Sequence, residues 1–263
     1  MGRLIKFELR RMFGSKLIYV ITAIFTFFAI TNALLLGRAS IENKTIGLLA
    51  GNLFNTVFFL YVIFLVTWIT PNFICPDYSP GSVMSNVVSR GYSRTKVFLS
   101  KYIVLMIFHV FIFAVSLIVG FLVGSLYVTD FSGPLFSALQ LNTLFNMLLS
   151  CFATLNLHIL ISTLCKMRMA IVIGTFVSNP FLALIVCLLP AINNKLTELS
   201  SFIMGWYPPF AYMKVIVANF ADSVGIGQFV KIDFSCLPIS SLLLFVLSFG
   251  GALLVVRRKE ISK

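Results

Sequence analysis

Residues 102–126 read YIVLMIFHVFIFAVSLIVGFLVGSL, and this run decides the fold class. It holds 25 residues without one Asp, Glu, Lys or Arg. As a helix rising about 1.5 Å per residue it would be roughly 37 Å long. That exceeds the roughly 30 Å of hydrocarbon in a bilayer. A barrel strand would alternate apolar and polar residues over a shorter stretch, and this run does not. Lipid offers no partner for an open backbone group, so the run is read as a membrane-spanning helix.

Five more such runs lie on either side, at 17–36, 53–74, 141–165, 170–190 and 237–256. The chain of 263 residues is 59% hydrophobic and only 11% charged, with a mean hydropathy of +1.02. A soluble domain of this length needs more polar surface than that. The expected fold is therefore an all-α polytopic membrane protein with six transmembrane helices, forming one transmembrane domain over 1–263. Cys75, Cys151, Cys165, Cys187 and Cys236 form no C-x-x-C pair and are read as packing residues, with no metal site.

The formal charge of +12 orients the chain. With both termini in the cytoplasm, the inside segments carry 15 of the 20 basic residues and three of the eight acids. The outside segments then carry five of each, so the whole excess lies on one side. The basic residues flank apolar runs, which fits anionic lipid headgroups rather than nucleic acid. The expected location is the plasma membrane, multi-pass, with both ends cytoplasmic.

Residues 1–16 form an amphipathic, basic stretch. Ile5, Leu9, Met12 and Phe13 fall on one helical face. Arg3, Lys6 and Arg10 fall on a neighbouring one, with Glu8 and Arg11 in the same stretch. An interfacial elbow helix on the inner leaflet is expected, with Arg3, Lys6, Glu8, Arg10 and Arg11 at the membrane surface. The long segment 191–236 precedes the last span. It clusters Phe202, Ile203, Met204, Trp206 and Tyr207 before Pro208-Pro209, which predicts short external helices, interfacial or re-entrant.

The loop at 76–96 carries its own helix signals. Ser79 suits an N-cap and Pro80 the first helical position. Val83, Val87 and Val88 give a short apolar face, Gly91 suits a left-handed stop, and Ser93 can cap the next helix. A short cytoplasmic helix over about 80–90 is expected, with valines that need lipid or a protein groove to dock against.

This loop resembles the cytoplasmic coupling segment of ABC-2-type transporter permeases. The residues that carry the likeness are Asp77, then Gly81-Ser82, then Ser89-Arg90-Gly91-Tyr92-Ser93-Arg94 and Lys96, with Lys101 beyond. The basic N-terminal helix, the tail Arg257-Arg258-Lys259-Glu260-Ile261 and the six-span layout are similar too. The resemblance implies a permease that works as a dimer, with a second copy or a sister permease, above separate cytoplasmic ABC ATPase subunits. It implies ATPase coupling through Asp77, Gly81, Ser82, Val83, Val87, Arg90, Gly91, Ser93 and Arg94. The chain has no G-x-x-x-x-G-K-[ST] phosphate loop. ATP and Mg are therefore expected on the partner ATPase, with no catalytic residue and no bound cofactor on this chain.

No charged residue lies well inside any expected span, which disfavours proton or sodium coupling. The interior polar residues are His109, Asn142, Asn146, Asn156, His158 and Asn179. They are read as interhelical or dimer contacts, with the substrate pathway as the functional alternative for His109, Asn142, Asn146, Asn156 and His158. Substrates of hydrophobic or amphipathic character, peptides or drugs, are expected, moving outward. The alternatives from other classes are an ATPase-independent channel or ion-coupled carrier, and a non-transporting immunity or assembly factor.

Overall fold

The computed structural model describes residues 1–38, 49, 53, 57, 60–78, 87–129, 138–210 and 236–258. Every regular element among them is helical. The elements are α1 (Gly2–Phe13), α2 (Lys16–Arg38), a π-helix (Tyr61–Ile69) that runs on into α3 (Thr70–Ile74), and a 3-10 turn (Cys75–Tyr78). Then come α4 (Arg94–Ser125), α5 (Ala138–Leu164), α6 (Met167–Val177), α7 (Pro180–Ile192), α8 (Thr197–Trp206) and α9 (Leu237–Arg258).

Four stretches are long and apolar enough to cross a bilayer: Lys16–Leu35, Arg94–Ser125, Met167–Val186 and Leu237–Arg258. Their outward faces carry bare apolar side chains, with Leu122 66%, Phe176 67% and Leu247 70% exposed. Lipid is the solvent such faces fit, so the chain is a multi-pass membrane protein. Shorter apolar helices occupy Leu65–Ile74 and Leu148–Leu164, inside the expected runs 53–74 and 141–165.

Sequence chemistry explains the irregular points. Leu49, Leu53, Val57 and Leu60, at helical spacing, are all buried. The π-helix that follows stops just before Pro71. A proline ring crowds the carbonyl four residues back and leaves it without an N–H partner, which here falls on Thr67. A widened turn upstream relieves that clash. The Thr67 hydroxyl donates to the Val62 carbonyl at 2.9 Å, five residues back, and adds a bond inside the widened turn.

Packing between elements is close. Helix α2 lies along α4, and α9 lies along α5. On α4, a Cβ at Gly120 would sit 2.8 Å from the Leu53 side chain and 3.2 Å from Ala29. A Cβ at Gly124 would overlap Leu49. This pair, four residues apart, lets neighbouring helices approach where a larger residue would hold them off. Between α5 and α9, the Ser150 and Ser241 hydroxyls are 3.3 Å apart.

The run expected as one helix over 170–190 is instead two. It breaks at Ser178-Asn179, ahead of Pro180, where proline lacks an N–H and disfavours helical geometry in the residue before it. The break is supplied with partners. The Asn179 side-chain oxygen accepts from the Leu182 N–H at 3.3 Å, and His158 Nε2 lies 2.8 Å from the Ser178 hydroxyl. Tyr207 donates to the Val177 carbonyl at 2.9 Å, and Ser200 to the Val186 carbonyl at 2.7 Å. The chain therefore runs out along α7 and returns along α8, so that residue 207 is level with residue 177. Helix α6, about 16 Å long at the usual rise, spans only half a bilayer by itself.

The α5–α6 contact, which also buries Ile161 against Ala170, is closest at one glycine. A Cβ at Gly174 would stand 2.7 Å from Nδ1 and 2.8 Å from Cε1 of the buried His158 ring. That ring is rigid and held by Ser178, so it has little room to move. Gly174→Ala is expected to destabilise the protein by about 1–3 kcal/mol, the usual cost of overpacking. Gly250→Ala, where nothing lies within 4 Å, is the control. Thermal unfolding in detergent compares them, and equal midpoints would contradict this account of the helix contact.

Candidate functional site

The loop singled out by the sequence has well-defined ends. Its first end is the 3-10 turn Cys75–Tyr78, which contains Asp77. Its second end is Val87–Ser89 in helical geometry, then Gly91 at φ +89°, the left-handed stop that glycine tolerates. Ser93 then caps α4, its hydroxyl accepting from the Lys96 N–H at 3.4 Å. Gly81, Ser82 and Val83, and most of the helix expected over 80–90, lie outside the described residues.

The two ends are tied together through α1. Glu8 is 2% exposed and its Oε1 stands 3.0 Å from Lys101 Nζ, near the start of α4. Arg11 Nη1 approaches the other oxygen at 3.5 Å, and Arg11 Nη2 points to the Phe73 carbonyl at 3.5 Å. The Phe73 ring faces both cations, its centroid 5.3 Å from the Arg11 guanidinium carbon and 5.1 Å from Lys101 Nζ. Each group explains another. A buried carboxylate needs a paired cation to offset desolvation, and a cation out of water gains from an aromatic face. Three elements thus meet at one point: α1, the end of α3 beside the loop's first end, and α4 just past its second.

This geometry redistributes the expected surface residues. Arg3, Lys6 and Arg10 are exposed, with Phe7 beside them at 46%. Glu8 and Arg11 are not on the membrane-facing side: they turn inward to Lys101 and Phe73. The buried face of α1 is Leu4, Glu8 and Met12, while Ile5 and Leu9 pack at its flank. The i, i+4, i+8 line through Leu4, Glu8 and Met12 was visible in the sequence. An acid in line with two apolar residues is the signal that could have found the pair.

Two of the expected valines contact the chain itself. Val87 and Val88 are half-buried and pack, with Tyr92, against the bundle's own core. The surface left to a partner at this end is polar: Ser89, Arg90, Gly91, Ser93 and Lys96 are exposed, and Arg94 is half-buried.

The interior polar residues do not converge on one centre. His158 bridges to Ser178 across two helices. His109 and Asn156 instead bond back within their own helices, to the Leu105 carbonyl at 2.6 Å and the Phe152 carbonyl at 2.7 Å. Asn146 is buried in α5, and the Asn142 side chain lies outside what is described. Among the described residues, no three His, Cys, Asp or Glu side chains are grouped to hold a metal.

No family model matches this chain, and no curated protein or solved structure is significantly similar to it.

The ion pair makes a quantitative expectation. Removing one member strands a buried charge, so Glu8→Leu or Lys101→Met alone should destabilise by about 3–5 kcal/mol. The double variant Glu8→Leu with Lys101→Met removes both charges and should recover most of that loss. A double-mutant cycle on thermal unfolding reads the difference, and strictly additive losses would show that the pair is not coupled.

Proposed function

We propose that the chain is the membrane-spanning subunit of an ATP-driven exporter of the ABC-2 type. It would cross the plasma membrane six times with both termini in the cytoplasm. A dimer would form the substrate pathway, and separate ATPase subunits would dock below. The observation that carries this reading is the junction of Glu8, Arg11, Lys101 and Phe73. An ATP-driven partner must move the spans by pushing on a cytoplasmic loop. A loop whose two ends are joined through a third helix transmits such a push to several elements at once. A plain connector has no need of that joint.

Other features support the reading. The span interiors carry no ion-coupling carboxylate, so the energy source lies elsewhere. The loop bears exposed Arg90 and Lys96, fit for an acidic groove on a partner. The exposed Arg3, Lys6, Phe7 and Arg10 of α1 fit anionic lipid headgroups and the acyl boundary beneath them. The returning α8, bonded back to α6 and α7 through Tyr207 and Ser200, fits a re-entrant element facing outside, a form that membrane proteins tolerate where side chains supply the missing partners. The apolar interior fits hydrophobic or amphipathic cargo, such as peptides or drugs.

The test is co-purification from native membranes, where a soluble ABC ATPase should be recovered with the tagged chain. Arg90→Asp with Lys96→Asp alters exposed residues only and should cut recovered ATPase by tenfold or more while leaving the permease folded. Undiminished ATPase capture by the double variant would remove this loop from the coupling role.

A further inference from the structure

Three helix ends share a level. The Ser150 and Ser241 hydroxyls meet at 3.3 Å, and a Cβ at Gly251 would stand 3.3 Å from the Leu160 side chain. Each pair is 91 positions apart, so α5 and α9 run side by side in one direction without slipping. The same offset sets Arg257 level with Lys166. Helix α4 runs against α9. The Tyr102 and Phe249 rings lie 4.9 Å apart, and Val97 and Phe98 share a core with Ala252 and Val256. Eight residues from Tyr102 towards the loop is Arg94, and eight residues on from Phe249 is Arg257. Arg94, Lys166 and Arg257 thus sit at one level, with Lys96, Arg168 and Arg258 close by in the chain.

Five of these six cations are exposed, and Arg94 is half-buried. Asp77, in the neighbouring 3-10 turn, is a single acid against them, and Glu8 is turned inward. The basic surface is continuous with the loop at both of its ends. Arg94 and Lys96 directly follow the capping Ser93. Cys75 Sγ donates to the Ser162 carbonyl at 3.3 Å and approaches the Cys165 carbonyl at 3.8 Å. That contact holds the α5–α6 turn beside the loop's first end.

Two occupants suit such charge, a lipid phosphate and an acidic protein face, and position separates them. Lys166 stands in a turn only two residues long, and Arg258 is the last residue of α9. A helix tip presents its charge to what lies beyond it, whereas a headgroup beside a span is met on the flank. Met167 and Met169, 39% and 55% exposed, add flexible apolar side chains that adapt to a protein groove.

We propose that Lys166, Arg168, Arg257 and Arg258 complete the docking surface begun by the loop and take an acidic face of the ATPase subunit. This rests on the exporter reading and adds a second contact to it. One ATPase subunit would then hold the loop together with the ends of α5, α6 and α9. Opposed charge at such a rim sets the rate and the salt dependence of docking.

The test purifies the tagged chain from native membranes at about 0.05 M and about 0.3 M salt and quantifies the recovered ABC ATPase by mass spectrometry. The triple variant Lys166→Gln, Arg257→Gln, Arg258→Gln should recover about three- to tenfold less ATPase than wild type at the lower salt, as for a few exposed ion pairs. The gap should narrow at the higher salt, where such pairs are screened. The variant Lys166→Arg, Arg257→Lys, Arg258→Lys should recover as much as wild type. p-Benzoylphenylalanine placed at position 167 should cross-link to the ATPase, and placed at position 192, 76% exposed at the far end of α7, it should not. Wild-type recovery by the glutamine variant, or a probe at 167 that misses the ATPase, would overturn the inference. If Arg90→Asp with Lys96→Asp still loses the ATPase in that case, the exporter reading survives. A glutamine variant that keeps the ATPase but binds phosphatidylglycerol vesicles less well would assign the surface to lipid. A wild-type chain that recovers no ABC ATPase would overturn both.

Discussion

A backbone carbonyl or N–H that is denied water must find another partner, and this requirement shapes the molecule more than any single contact. Long helices meet it internally. The informative places are those where a helix cannot. Pro71 interrupts one ladder, and the chain answers with a widened π-turn in which the Thr67 hydroxyl serves the Val62 carbonyl. Pro180 interrupts another, and there Asn179 and Tyr207 take up the freed groups from two separate segments, while His158 pairs with the Ser178 hydroxyl.

Charge obeys the same logic. The Glu8 carboxylate is removed from water only because Lys101 and Arg11 accompany it, and they in turn lie against Phe73. Such a pair contributes little net stability compared with apolar packing of equal volume. What it contributes is uniqueness. No other register of α1 against α4 presents the acid to the ammonium, so the elbow helix is fixed in azimuth as well as in depth.

Much of this was legible in the sequence. Long uncharged runs gave helices, Gly91 gave the left-handed stop, and Ser93 gave the cap, because each depends on local chemistry. The broken run at 170–190 was harder. Hydropathy is blind to it, since both halves are apolar, and only Pro180 marked the spot. The fate of Glu8 and Arg11 depended on a residue ninety positions away. A helical wheel drawn for α1 alone sets Glu8 in line with Leu4 and Met12, but the partner that makes its burial tolerable, Lys101, lies on another helix. Val87 and Val88 are recognisable as an apolar face, and they pack partly buried against a core made of residues distant in sequence.

The bonds at the break in α6–α7 also carry a chronology. His158 is synthesised first, Ser178 follows, and Tyr207 comes last. A nascent chain that has just completed α7 already has the imidazole for Ser178, but Val177 still lacks the phenol that will cap it. The gap closes only when α8 has folded back. The returning hairpin is thus the final stitch of this region, and a ribosome halted before residue 207 would hold α6 and α7 without the Tyr207 bond.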